Sequence, residues 1–229
     1  MIAGLKGGRR LVAPAGRGTR PTADRVREAA FSMLESQVQL EGLVVWDLFA
    51  GSGAMGIEAL SRGAAHTTFV DQARVAISAT RANLVRLGYG SGSALVVCAD
   101  VLKWVHGLDD GLGGPDGPPD RLRLLPDERL GVHEPLERRE ARQHLEARQH
   151  LEARKVDLVL ADPPYAWLAW PALLEGLTLR APLVLIESSE APELPPPWEA
   201  VKVKHYGSTL VTLARCRLAG DSKPAGEGI

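Results

Sequence analysis

The sequence is short of the features that mark secreted, membrane or metal-dependent proteins. It holds two cysteines, Cys98 and Cys216, far apart and in neither a metal-ligand spacing nor a Cys-x-x-Cys pair, so reduced thiols are expected. There is no apolar run long enough to cross a bilayer and no signal-like apolar core near the N-terminus. A cytoplasmic location and no membrane partner are therefore expected. The formal net charge is −1, so nothing global attracts nucleic acid and any basic surface has to be local. Two repeated histidines, His144 and His150, have no third ligand at a known spacing, and no metal is expected. A chain of 229 residues is long enough for one sizeable α/β domain that buries roughly three-quarters of its unfolded surface.

What is present is organised around Val44-Val45-Trp46-Asp47-Leu48-Phe49-Ala50-Gly51-Ser52-Gly53-Ala54-Met55-Gly56. Apolar residues and an acid run into glycines, and a helix-forming segment follows, a strand–turn–helix pattern that suits a cofactor-binding turn. Glycine permits positive φ and removes side chains that would hold a ligand off the backbone, while the N–H groups of the next helix point at the bound group. Read literally, Gly51-x-Gly53-x-x-Gly56 is also the dinucleotide fingerprint, with Asp71 placed to hold ribose hydroxyls. The turn alone does not name its ligand. A second motif, Asp162-Pro163-Pro164-Tyr165, follows the apolar run 156–161 and decides between them. Together the two motifs resemble an S-adenosylmethionine-dependent amino-methyltransferase.

Taken in order, residues 1–13 suit a small β-hairpin. A helix is expected over 23–38, with Val26, Ala30, Met33 and Leu34 on one face and Thr22 as N-cap. Lys6, Arg9, Arg10, Arg17, Arg20, Arg25 and Arg27 form a local basic run, and cations near a helix start suit an external anion such as phosphate; a solvated polar face is the competing reading. Strands follow at 43–47, 67–71, 93–99 and 156–161, with helices at 54–62, 73–87 and 101–106. Each strand brings an acid to its carboxyl end, where ligands sit in open parallel sheets. Asp47, Asp71 and Asp100 are thus expected to ring one polar cofactor, with helix capping as the alternative for each. A helix near 171–177, a strand at 183–188 and a hairpin of strands 200–206 and 208–217 through Gly207 complete the domain.

The pattern breaks at residues 107–154, a low-complexity insert with the tandem hexad Ala141-Arg-Gln-His-Leu-Glu. A six-residue repeat advances about 600° around a helix, so Leu145 and Leu151 do not share a seam. The expected domains are a basic N-terminal hairpin and helix over 1–40 for RNA contact, a methyltransferase domain over 41–218 interrupted by the insert, and a disordered tail over 219–229.

Methyl transfer to an exocyclic amine is a direct displacement that needs positioning rather than a covalent nucleophile. The amine lone pair is delocalised into the base. Acceptors for its two N–H bonds favour a pyramidal nitrogen, and the Asp162 carboxylate and the Pro163 carbonyl suit that task. Tyr165 offers a stacking face. A base buried in a helix cannot enter such a pocket, so the substrate is single-stranded or flipped out. On the cofactor side Phe49 and the backbone of Gly51, Ser52 and Gly53 approach the methionine part. Asp47 is placed for its amino group, Asp71 for the ribose hydroxyls and Asp100 for the adenine amine.

With these residues in place the chain resembles the RsmD family of bacterial 16S rRNA guanine-N2 methyltransferases. The likeness runs through Ile2-Ala3-Gly4, Gly7-Gly8-Arg9-Arg10-Leu11, the stretch from Arg20-Pro21-Thr22 to Phe31, the stretch from Asp47 to Ala64, Asp162-Pro163-Pro164-Tyr165 and Tyr206-Gly207-Ser208-Thr209. Arg-Pro-Thr is its more specific part. The resemblance implies a Rossmann-like class I methyltransferase fold of α/β class, a seven-stranded mostly parallel sheet with helices on both faces and the last strand antiparallel. It implies S-adenosylmethionine as donor, guanine 966 of 16S rRNA as acceptor and an assembling small subunit as partner, with ribosomal proteins as further contacts. Arg10, Arg20, Thr22, Arg25 and Arg27 are the expected RNA contacts, and a monomer is the default. The insert departs from the family pattern.

A DNA adenine-N6 methyltransferase also uses Asp-Pro-Pro-Tyr, but no separate target-reading domain is visible and the basic N-terminus fits backbone contact better. A nicotinamide oxidoreductase would want a Tyr-x-x-x-Lys pair near the crevice, and none is present. A non-catalytic assembly factor would not need intact motifs. Deleting residues 109–152 is expected to leave a folded core that still binds cofactor, as measured by calorimetric titration; loss of binding would make the insert structural.

Overall fold

The computed structural model describes residues 4, 8, 9, 11, 12, 21–107, 156–164 and 167–217. Most of the N-terminal hairpin, Arg10, Arg20, Tyr165, nearly all of the insert and the tail lie outside the described residues. Helix α1 (Pro21–Glu35) precedes β1 (Val44–Leu48), α2 (Ala54–Ser61), β2 (His66–Asp71), α3 (Arg74–Leu87), β3 (Ala94–Cys98) and α4 (Val101–Gly107). Strand β4 (Leu158–Ala161), helix α5 (Trp170–Leu177) and strands β5 (Leu183–Ser188), β6 (Trp198–Tyr206) and β7 (Thr209–Cys216) follow.

The seven strands form one sheet in the order β3-β2-β1-β4-β5-β7-β6. Strands β3 to β5 run parallel, and β7 is antiparallel to both β5 and β6. This is the class I methyltransferase arrangement expected from the sequence. Central strands covered on both faces have no polar side to show. Accordingly all four residues of β4 are buried, as are the last four of β1. The alternation of period 2 splits the core into two halves. Val45, Leu158, Leu160 and Leu185 pack with Phe31, Leu34, Ile57 and Leu84 of α1, α2 and α3. Trp46, Leu48, Val159 and Ile186 pack with Val101, Val105, Leu173 and Leu174 of α4 and α5.

Helix α1 carries the expected stripe of Val26, Ala30, Met33 and Leu34, all buried, and adds Phe31. Its start is corrected. Pro21 is its first residue and Thr22 lies inside the helix, not at its N-cap, because the fixed φ and missing N–H of proline suit the first helical position. Helix α1 is tied to the sheet domain through Arg62. The guanidinium meets Glu35 of α1 at 2.8 Å and Glu58 of α2 at 3.0 Å, and lies 4.9 Å from the centroid of the Phe31 ring. Glu58 is fully buried. Removing its cation leaves a charge with less compensation than its desolvation requires. Arg62→Ala is expected to destabilise the protein by about 3 kcal/mol in chemical denaturation and to speed proteolysis within α1; an unchanged midpoint would mean that α1 is held by apolar packing alone.

Candidate active site

The strand order places β1 between strands that run off to either side, so a crevice opens at its carboxyl end, the usual ligand position in such sheets. Leu48 pairs with Val70 on one side and Ala161 on the other, and Ala161 pairs with Ile186. One step further along each strand, Asp71, Phe49, Asp162 and Glu187 therefore stand in one row along this edge. The β6–β7 turn, where Tyr206 pairs with Thr209, comes to the same edge because β7 runs antiparallel to β5.

The glycine turn has the conformation expected of it. Gly51 and Gly53 take φ of 58° and 76°, the left-handed region that costs side-chain-bearing residues energy. Gly56 answers a packing need: a Cβ there would lie 2.4 Å from Phe69 and 2.9 Å from the Asp47 Cβ, so only glycine lets α2 come this close to β1 and β2. Phe49 also has positive φ, 62°. That turns its ring toward Trp167, at 5.1 Å between centroids, and Trp167 in turn meets Trp170 at 4.7 Å. An aromatic wall thus joins the glycine turn to the chain just beyond Asp162-Pro163-Pro164.

The three expected cofactor acids are not level with one another. Asp47 lies inside β1 rather than at its end, 2% exposed, with Oδ2 accepting the Gly56 N–H at 2.8 Å. Burial, opposed by that hydrogen bond and reinforced by Asp162 and Asp71, holds its carboxyl well above the usual carboxylate range. Asp71 accepts the Gly51 N–H at 2.9 Å and the Ala73 N–H at 2.8 Å. Asp100 is exposed and accepts the Lys103 N–H at 3.0 Å, which makes it the cap of α4. Capping and ligand binding are compatible, since each carboxylate oxygen has two acceptor sites.

Two residues of α3 that the sequence reading did not single out as site residues shape the turn. Thr80 donates to the Gly51 carbonyl at 3.1 Å. Asn83, fully buried, donates to the Ser52 carbonyl at 2.9 Å and clasps the Val12 backbone through bonds of 2.7 and 2.9 Å. A buried Asn inside an apolar helix face was the available signal. Glu187 was also missed, although an acid ending the run Leu183–Ile186 repeats the placement of Asp71. Burial first, then Asp162 and Asp47, push its carboxyl up to about 8, against the pull of Arg27.

The expected RNA contacts part company along α1. Arg25 is exposed and, with Val26, Tyr206 and Gly207, lines a hollow of about 260 Å³ at the same edge of the sheet. Arg27 is not on that outer face. It is 7% exposed, turned inward from the basic run, and paired with Asp24 at 2.8 Å. Two residues along a helix are about 200° apart, so Arg25 faces solvent and Arg27 the core, which the count of charges does not reveal. Asp162 is exposed and Pro163 half-buried at the mouth of the crevice. Among the described residues no cluster of metal-ligating side chains occurs and no helix is long and apolar enough to cross a membrane.

The donor set fits S-adenosylmethionine. Nothing but the Phe49 carbonyl, at 3.9 Å, would meet a Cβ on Gly51, so the turn is open on the side a ligand would use. The acids around it suit a group whose amino, ribose and adenine edges all donate and whose sulfur is cationic. The sheet order is that of the class I methyltransferase fold, and solved structures share it. The yhhF protein of Escherichia coli matches with a TM-score of 0.65 and 25% identity over 96% of this chain and 98% of its own. Magnesium protoporphyrin IX methyltransferase of Synechocystis, solved with bound S-adenosylmethionine, has a TM-score of 0.53 at 12% identity over 88% of this chain and 87% of its own.

Residues 1–108, just under half of the chain, match the family described as Conserved hypothetical protein 95, and over them the likeness to the RsmD family stands. Ribosomal RNA small subunit methyltransferase D of E. coli is 40% identical over 105 residues, 46% of this chain and 51% of that protein. YlbH of Bacillus subtilis is 49% identical over 87 residues, 38% of this chain and 46% of its own. The matched stretch spans about half the length of these curated relatives. If Asn83 holds the turn in its binding shape, Asn83→Ala will weaken S-adenosylmethionine by about tenfold, the worth of one or two hydrogen bonds, in calorimetric titration with the circular dichroism spectrum unchanged; undiminished affinity would assign the clasp to N-terminal docking alone.

Proposed function

We propose that the protein transfers a methyl group from S-adenosylmethionine to the exocyclic N2 amine of a guanine in small-subunit rRNA, guanine 966 being the family's position. The observation that carries this reading is the row at the sheet edge, where β4 delivers Asp162-Pro163-Pro164 beside the glycine turn of β1. The names of the rRNA methyltransferase relatives support the substrate class.

Bound S-adenosylmethionine supplies the electrophilic methyl group. The chain's own residues do the rest. Asp162 and the Pro163 carbonyl each accept one N–H of the amine, which favours a pyramidal nitrogen and turns its lone pair toward the glycine turn. As the new N–C bond forms, the methyl–sulfur bond of the bound donor would break with its electron pair staying on sulfur, and one amine proton passes to the Asp162 carboxylate, whose exposure lets solvent carry that proton away. The Phe49–Trp167 wall gives a flipped base an apolar boundary, with Tyr165 as its stacking face. Arg25, on the same edge of the sheet, contacts the RNA phosphates, with Arg10, Arg20 and Thr22 continuing that contact. The enzyme acts in the cytoplasm, as a monomer, on an assembling subunit with ribosomal proteins alongside.

The test is methyl transfer from radiolabelled S-adenosylmethionine to small-subunit particles from cells lacking the enzyme, with the labelled nucleoside identified by mass spectrometry. N2-methylguanosine at one rRNA site is expected. Asp162→Ala should abolish the label while cofactor affinity changes less than about threefold, because its carboxylate acts on the amine and not on the cofactor. Retained turnover in that variant would remove Asp162 from the mechanism, and N6-methyladenine on DNA would replace the RNA reading.

A further inference from the structure

We propose that Glu187 reads the guanine beside its reacting amine, the carboxyl accepting from the base N1–H and donating its own proton to O6, a role that rests on the guanine reading above. No step of that reading uses Glu187. The register nevertheless sets it next to Asp162, one position beyond the Ala161–Ile186 pair of neighbouring parallel strands. A base held by its amine at Asp162 and Pro163 therefore turns the adjoining part of its Watson–Crick edge toward β5.

The surroundings keep Glu187 in the form this role requires. It is half-buried, and the charged groups acting on it come from three elements: Asp162 after β4, Asp47 on β1 and Arg27 on α1. Burial and the two acids outweigh the one arginine, so the carboxyl holds its proton up to about pH 8. Arg27 is itself an independent sign of a missing polar partner. It is 93% buried, engages Asp24 through Nη2, and leaves a buried Nε with no hydrogen-bond partner. An inward-turned arginine with an unmet donor, acting on a neutral carboxyl, suits a site for a polar ligand better than a closed ion pair.

The chemistry selects one base. Next to the N2 amine of guanine come N1–H, a donor, and then O6, an acceptor. A neutral carboxyl presents an acceptor and a donor in the same spacing, so two parallel hydrogen bonds form. Adenine held by its N6 amine offers N1, an acceptor, and then C2–H. It makes one bond and leaves the carboxyl oxygen facing carbon, and a site built around paired polar groups rejects a ligand that leaves one unpaired.

The test compares the full-length wild type, Glu187→Gln and Glu187→Leu on small-subunit particles, with kcat/KM for N2-methylguanosine followed from pH 6.5 to 9 and cofactor affinity and thermal midpoint measured in parallel. Glu187→Leu should lower kcat/KM by about 100-fold with cofactor affinity kept. Glu187→Gln, whose amide offers the same acceptor and donor, should restore it to within about tenfold of wild type at pH 7. Because the protonated form is the active one, wild-type kcat/KM should fall about fivefold between pH 8 and 9 while that of Glu187→Gln stays level. Identical pH profiles for wild type and Glu187→Gln would overturn the role, as would a folded Glu187→Gln as inactive as Glu187→Leu. Wild-type enzyme that labels some other nucleoside would instead overturn the guanine reading, and the role of Glu187 with it.

Discussion

The hydrogen bond from the Gly56 N–H to the buried Asp47 carboxylate is the constraint on which the candidate site depends. It crosses from the start of α2 to the body of β1, in a place with no water to substitute for either partner. A carboxylate so far from solvent is costly, and burial raises its affinity for a proton accordingly. That cost is offset by holding a helix start against a strand end, with a turn between them that must present its backbone outward. The absence of a side chain at Gly56 belongs to the same contact, since a Cβ would collide with Phe69, Thr67 and Asp47 at once. Asp71, Thr80 and Asn83 then hold the turn from the β2 and α3 side. Its conformation is therefore set before any ligand arrives, which lowers the cost of ordering on binding.

The same network extends to the part of the chain that would meet RNA. Asn83 clasps the backbone at Val12, and Arg62 ties α1 to α2 through Glu35 and Glu58. Val12 and α1 are thus held on the face of the sheet that carries the turn. Arg25 faces outward near the Tyr206-Gly207 turn and Arg27 inward toward Glu187, so one helix contributes both an outer contact and an inner charge to the edge where the chemistry is proposed.

Legibility in the sequence varied with how local the determinant was. The glycine turn, the amphipathic stripes of α1 and α3 and most strand bounds were legible because each follows from period and turn chemistry within a few residues. The helix start at Pro21 was misplaced by two residues, as proline at the first helical position competes with a threonine cap as a start signal. Asp47, Asp71 and Asp100 were read as one ring, yet they differ in depth, because β1 continues past Asp47 to Leu48 while β2 ends at Asp71. Arg25 and Arg27 were read together, and the turn of the helix separated them. Glu187 and Asn83 were passed over as site residues, since nothing local distinguishes a strand-end acid that faces Asp162, or a helix Asn that reaches two loops.

The sequence by itself determined the elements, their order and the two motifs that resemble an amino-methyltransferase, because hydrophobic period and the φ freedom of glycine act over a few neighbouring positions. Only the tertiary structure decided which residues share the crevice. Strand order and register bring Asp71, Phe49, Asp162 and Glu187 into one row from segments as far apart as residues 49 and 187. Depth from solvent, which no local pattern encodes, then divides them into an acid that braces the glycine turn, an acid open to water and an acid that keeps its proton.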